Sequence, residues 1–279
     1  MAQNYRLKTC VNFNNQIYTD NITDTFLLDK IQSFCKLCYN KYVLYGYFQK
    51  SNYNDHYSII IMCSPDIDIS YLRDLYYKIN DKNLSVFGYQ FQEKNVTYIT
   101  EAKRLDYEYY GFIWHVSPMS FIQVNKYAGK YIHDLVKELI CKDIKHFCAI
   151  GGEMGIYAKA FGHNNTFTCL TNSSDIYEDC IFNYNNNNTD DSFHLVDYDT
   201  VNLDNYMNNL DQVLVINISR NGLKNLAKQI VNLNFKQIIY IGCSDKAVNR
   251  DLDILKQRYI IDKMYTEYQS YIISLIPKI

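Results

Sequence analysis

The spacing of apolar positions changes partway along the chain. In FLLDKIQSFCKLCYNKY, Leu28, Ile31, Cys35, Cys38 and Tyr42 recur at helical intervals, whereas YSIIIMC (Tyr57 to Cys63) is a continuous apolar run of strand length. A turn at SPD (Ser64 to Asp66) opens a second helical pattern, ISYLRDLYYKI, and three strand-like segments follow: LSVFGYQFQ, VTYIT and YYGFIWHV. Residues 1–116 therefore read as an α+β domain. From Tyr127 an amphipathic stretch, YAGKYIHDLVKELI, leads into HFCAIGG, TFTCLTN, FHLVDY, VLVINI and QIIYIGC, mostly separated by helix-length segments. That alternation predicts a doubly wound parallel sheet over residues 117–279, an α/β domain of Rossmann-like type. The last two runs, RYIIDKMYT and SYIISLI, are nearly contiguous and predict an antiparallel pair at the sheet edge. NYNNNNTDD (Asn183 to Asp191) is a polar low-complexity loop.

Composition narrows the function classes. With 279 residues, 48% of them hydrophobic, the chain can bury a sizeable core, and no apolar run reaches the roughly 18 to 20 residues of a membrane span. No membrane association and no export signal are expected, and the nine scattered cysteines suit reduced thiols in a cytoplasmic setting. A net charge of -2 offers polyphosphate no general attraction, so RNA binding is expected to be weak, resting on a strip such as Arg104, Lys126, Lys130 and Lys137. Cys35-x-x-Cys38 lies on an apolar helical stripe and reads as core rather than as a metal ligand pair, and the histidines show no ligand spacing; no metal is expected. His133 reads as a surface residue of its helix, His115 as a core residue. Tyr109-Tyr110 and the other tyrosines read as packing before they read as stacking platforms for bases.

The candidate chemistry lies at YIGCSDKAVNRDL (Tyr240 to Leu252), where a cysteine sits between a strand and a helix. Ligands of open α/β sheets bind beyond the carboxyl ends of the strands, and a helix N-terminus favours a thiolate. Together with SPMSFIQVNKYAGKYI (Ser117 to Ile132), this segment resembles the RNA uracil-5-methyltransferases, which depend on S-adenosylmethionine (SAM). Ser117, Pro118, Ser120, Phe121, Gln123, Val124 and Asn125 match that family's SP-x-SF-x-QVN, while Cys243, Arg250, Asp251 and Leu252 match its nucleophile-to-RDL segment at the same spacing. VINISRNGL (Val215 to Leu223) is similar to its VDPPRKGL. The resemblance covers residues 55–279 and leaves Met1 to Asp55 unplaced. It implies a SAM-methyltransferase fold, Cys243 as a nucleophile adding to uracil C6, and Gln123, Ile150, Gly152, Thr171 and Asn217 at cofactor positions. Splitting one hard substitution into two easier steps is what such a thiol contributes.

The family pattern is broken at several of these positions. CAIGGEMG keeps Gly152 but has Met154 in place of a second glycine and Cys148 in place of an acid. Thr171 stands where an acid would hold the SAM ribose, Asn217-Ile218-Ser219 replaces Asp-Pro-Pro, Asp245 replaces a proline, and the general-base glutamate falls on Ser270, with Glu267 nearby. Loss of both acids points to weak or absent SAM binding and to a relative acting as a binding or scaffold protein, one such role being that of a subunit with a protein partner in an RNA-processing assembly; the alternative is an active enzyme using Cys243. In the first case partial closure of the uracil space by Met264 or Tyr268, burying the sulfur, is expected; in the second the thiol stands exposed.

Overall fold

The computed structural model describes residues 6–13, 22–38, 40–92, 95–101, 104–161, 166–184, 192–207 and 212–278. They form two compact units, Met1–Met119 with Gln123–Gly129, and Ser120–Ile122 with Lys130–Ile279.

In the first unit, β1 (Lys8–Asn12), β2 (Val43–Lys50), β3 (Tyr57–Cys63), β4 (Leu84–Phe91) and β5 (Thr97–Tyr98) form one sheet in chain order, parallel only between β3 and β4. That parallel pair is joined by α2 (Ile69–Ile79), and α1 (Thr25–Leu37) joins β1 to β2. The segment that the family resemblance leaves unplaced thus supplies two strands and a helix of this sheet. Leu27, Ile31 and Phe34 of α1 and Leu72 and Leu75 of α2 share one core with Phe48, Ile59, Ile61 and Phe87. Leu27, Ile31 and Phe34 are the fully buried positions of α1, and the expected residues Leu28, Cys35, Cys38 and Tyr42 pack against the same core as its partly buried flank. Asp24 caps the helix by accepting from the Leu27 N–H at 2.9 Å, and the helix ends at Leu37 with Cys38 as C-cap. VTYIT contributes only the two residues of β5. YYGFIWHV is not one strand: β6 (Leu105–Tyr109) and β7 (Phe112–Val116) form a hairpin whose two-residue turn has φ of 51° at Tyr110 and 82° at Gly111. Two consecutive positive φ angles give the turn whose twist matches that of paired strands.

The second unit contains a seven-stranded sheet of order β10-β9-β8-β11-β12-β14-β13. Its strands are β8 (His146–Gly151), β9 (Thr166–Thr171), β10 (Phe193–Leu195), β11 (Gln212–Asn217), β12 (Phe235–Gly242), β13 (Tyr259–Glu267) and β14 (Ser270–Pro277). The helices are α3 (Lys126–Leu139), whose first turn clusters with the first unit, then α4 (Met154–Phe161), α5 (Ser174–Asn183), α6 (Asn225–Asn232) and α7 (Asp245–Leu255). β8 and β11 are buried at every position, the pattern of parallel strands covered on both faces. β8 to β12 run parallel; β14 inserts antiparallel between β12 and the edge strand β13, as the terminal pair of apolar runs predicts. This is a Rossmann-like α/β fold of the SAM-methyltransferase type, and the strand order reverses between β8 and β11. FHLVDY yields only the three residues of β10, and most of the NYNNNNTDD segment lies outside the described residues. Among the described residues, no helix is long and apolar enough to cross a membrane.

Candidate functional site

In an open α/β sheet the ligand crevice lies where the strand order reverses, here beyond Gly151 of β8 and Asn217 of β11, which pair in register. Gly151 has φ +101°, and a Cβ there would overlap the Asn217 carbonyl, so only glycine is tolerated. The Gly152 N–H donates to that carbonyl at 2.7 Å, and a Cβ on Gly152 would stand 2.5 Å from the Phe121 ring. Both glycines are thus required by the protein's own atoms.

Next comes Glu153, a non-glycine residue at φ +57°. Its side chain turns inward: Oε2 accepts from Asn217 Nδ2 at 3.0 Å and lies 3.3 Å from His133 Nε2, with side-chain exposures of 0% for Glu153 and 6% for His133. His133, expected at the surface, is a buried residue of α3 whose ring packs edge-on to Tyr157 at 5.5 Å. A carboxylate in so dry a position is stable only when partnered, and here its partners come from β11 and α3. Met154, fully buried, starts α4.

The other cofactor positions are equally committed to internal contacts. Cys148, where the family pattern has an acid, is buried and directs Sγ at Gln212 Oε1, 3.3 Å away; burial pushes its thiol far above the ordinary range. Ile150 points into the core. Thr171 is buried, its Oγ1 accepting from the Ser173 N–H at 3.2 Å, while Tyr198 OH donates to the Leu170 carbonyl at 3.3 Å. Ser120 donates to the buried Asp179 at 2.5 Å, which brings Phe121 onto Gly152. A SAM molecule needs an acid for its ribose and an open glycine turn for its amino-acid end. These residues provide neither, so they do not fit the cofactor. Gln123 falls in the first unit, half-buried beside Gly129.

Cys243 follows β12 and is exposed. The expected burial is not found: Met264, proposed to cover the sulfur, is itself 47% exposed, and Tyr268 packs edge-on against Tyr131 at 5.7 Å. Two features account for this: Tyr268 and Gln269 form the β13–β14 turn at φ 51° and 59°, and Met264 lies on the edge strand. Gly242 pairs with Tyr271, so extending the register sets Cys243 beside Ser270. Cys243 and Ser270, expected from the resemblance at the nucleophile and general-base positions, thus each lie one residue beyond the Gly242–Tyr271 pair, and Ser270 offers a hydroxyl rather than a carboxylate. Glu267 pairs with Ser270 from the outer strand, about two strand spacings, roughly 10 Å, from the β12 line.

The retained RDL and RNGL motifs meet around Asp251. This fully buried carboxylate accepts from the Leu223 N–H at 2.6 Å, Tyr240 OH at 2.9 Å, and Arg250 Nε and Nη2 at 3.0 and 2.7 Å. Arg250 also donates to the Asn221 carbonyl at 2.9 Å, and a Cβ on Gly222 (φ +69°) would come within 2.5 Å of Asp251 Oδ2. Burial and the Asp251 charge hold the Tyr240 phenol well above its usual range. These motif residues join the β11 loop to α7.

Other candidates take ordinary roles. His115 is half-buried, with Nδ1 2.8 Å from Asp106 Oδ1 rather than in the core. Burial and neighbouring Cys38 push the Cys35 thiol up to about 11, and Cys38 Sγ accepts from Tyr71 OH at 3.9 Å. Of the basic strip, Lys130 pairs with Asp134 at 2.5 Å.

The strand order and its crossover define the class by fold: a Rossmann-like SAM-methyltransferase fold. Among solved structures, the tRNA (uracil-54, C5)-methyltransferase of Pyrococcus abyssi, in complex with S-adenosyl-L-homocysteine, superposes with a TM-score of 0.69 at 14% identity, covering 98% of this chain and 76% of that one. The tRNA m1G37 methyltransferase of M. jannaschii gives 0.46 at 13% identity, over 80% and 70%. The ribosomal protein L11 methylase of Lactobacillus delbrueckii subsp. bulgaricus gives 0.43 at 16%, over 55% and 81%. No protein-family model and no curated protein matches the sequence. At these identities the likeness shows the fold.

Proposed function

We propose that this chain is a diverged relative of the RNA uracil-5-methyltransferases in which SAM binding and methyl transfer are lost or strongly reduced, and that it acts as a binding or scaffold protein for RNA or for a partner in an RNA-processing assembly. The observation that carries this reading is the self-filled turn at the β8/β11 crossover, where Gly152 N–H, Asn217 and Glu153 bond to one another. Loss of two charge-assisted hydrogen bonds removes about 3–6 kcal/mol of binding energy. Calorimetry with SAM is therefore expected to show a dissociation constant above roughly 100 µM. A micromolar value defeats the proposal.

RNA binding is the second expectation. With a net charge of -2, few phosphates are neutralised, so filter binding to structured RNA should be weak and change little between low and physiological salt. Tight binding at 0.2 M salt, or a steep salt slope, contradicts this. The exposure of Cys243 favours a second reading, an active uracil-5-methyltransferase using that thiol. Covalent trapping separates the two.

A further inference from the structure

The same crossover contains a feature that loss of a ligand does not explain. A non-glycine residue in the left-handed region is held there only when its surroundings over-determine it. At Glu153 those surroundings are two side chains from separate elements, Asn217 Nδ2 at 3.0 Å and His133 Nε2 at 3.3 Å, converging on one carboxylate oxygen in a site closed to solvent. The Gly152 N–H bond to the Asn217 carbonyl fixes the turn that delivers the carboxylate. An amide N–H donor with an imidazole nitrogen close beside it, 3.3 Å from the same oxygen but outside hydrogen-bond geometry to it, gives this dry pocket the polar lining of a carboxylate site.

We infer that Glu153 is the built-in occupant of a carboxylate site formed by His133 and Asn217, and that a small free carboxylate, or the carboxylate end of an amino-acid ligand, takes this site when the Glu153 side chain is absent. The inference rests on the closed-crevice reading above and extends it. The crevice is shut by a tethered carboxylate as well as by lost cofactor contacts.

The test uses Glu153→Gly, since glycine accepts the turn's φ, and Glu153→Gln, which keeps the site filled. Each protein is melted in 0.1 M formate and in chloride of equal ionic strength. Formate should raise the melting temperature of Glu153→Gly by about 3–6 °C, as a tenfold gain in folding constant from ligand binding would. Wild type and Glu153→Gln should not respond. If Glu153→Gly does not fold in chloride, refolding in formate but not in chloride supports the site, and failure in both overturns it. An equal formate response in all three proteins, or none in Glu153→Gly, also overturns it. S-adenosylhomocysteine titrated into wild type keeps the two readings apart. Micromolar binding defeats the proposed function, whereas an absent formate response with weak S-adenosylhomocysteine binding defeats only the carboxylate site.

Discussion

Asp251→Ala is expected to lose about 3–5 kcal/mol of stability, the usual consequence of removing one member of a buried, hydrogen-bonded charge cluster. At roughly 2–4 °C per kcal/mol for a unit of this size, the melting temperature should fall by about 10 °C. The carboxylate holds the Leu223 N–H, the Tyr240 hydroxyl and the Arg250 guanidinium, and without it the first two are left buried with no acceptor. Asp251→Asn should also be strongly destabilised, because an amide presents one oxygen where four donor contacts converge. Asp253→Ala, two residues on at an exposed position of α7, should stay within about 0.5 kcal/mol of wild type. Thermal and urea unfolding measure all three. A drop of under 2 °C for Asp251→Ala would remove the structural role assigned to this motif.

That result bears on how the sequence is read. Arg250 and Asp251 of the nucleophile-to-RDL segment and Leu223 of the VINISRNGL segment are among the residues that carry the family resemblance, and they bond to each other and to Tyr240 and Asn221. Their contacts hold the β11 loop against α7, a structural role that accounts for these residues independently of catalysis. The alternation that predicts the doubly wound sheet is legible because β8, β11 and nearly all of β12 are buried, so their centres are continuous apolar runs. Local turn geometry is harder to read. Tyr110-Gly111 and Tyr268-Gln269 adopt left-handed angles with only one glycine among four residues, so YYGFIWHV looks like one strand.

The candidate site was legible as positions, and the internal bonds at its turn were not. CAIGGEMG shows a missing glycine, but Glu153 turning inward depends on His133, twenty residues earlier, and on Asn217 in β11. A signal was present in outline. His133 interrupts the apolar face of α3 next to Ile132 and Val136, and a charged residue directly follows two glycines. Pairing these two needs the strand order, which periodicity does not supply. The helical period places Leu28, Ile31, Cys35 and Cys38 on the core side of α1, but its centre lies one residue earlier, on Leu27, Ile31 and Phe34, and the helix stops at Leu37.

RNA containing 5-fluorouridine, incubated with the wild-type protein and SAM, is expected to give no covalent adduct. The trap requires a thiol able to reach pyrimidine C6 and a bound methyl donor, but it does not require the general base, since fluorine blocks the proton abstraction that would release the enzyme. Cys243 meets the first condition by its exposure. On the proposed function the crossover residues fail the second, since Gly152 and Glu153 both bond to Asn217. Ser270 at the base position sharpens the comparison. Removal of a catalytic base typically slows its step by roughly 100- to 10,000-fold, so a protein that kept its cofactor and nucleophile but lost the base would stall as an adduct even on unmodified RNA. Denaturing gels of wild type and Cys243→Ala on both RNAs distinguish three cases. Bands on neither substrate support the closed crevice. A Cys243-dependent band on fluorinated RNA alone indicates an active enzyme whose base lies elsewhere, Glu267 at the end of β13 and Asp245, which accepts from Tyr271 OH at 2.9 Å, being the candidates. A Cys243-dependent band on both places the defect at Ser270 and overturns the reading of the crossover as shut.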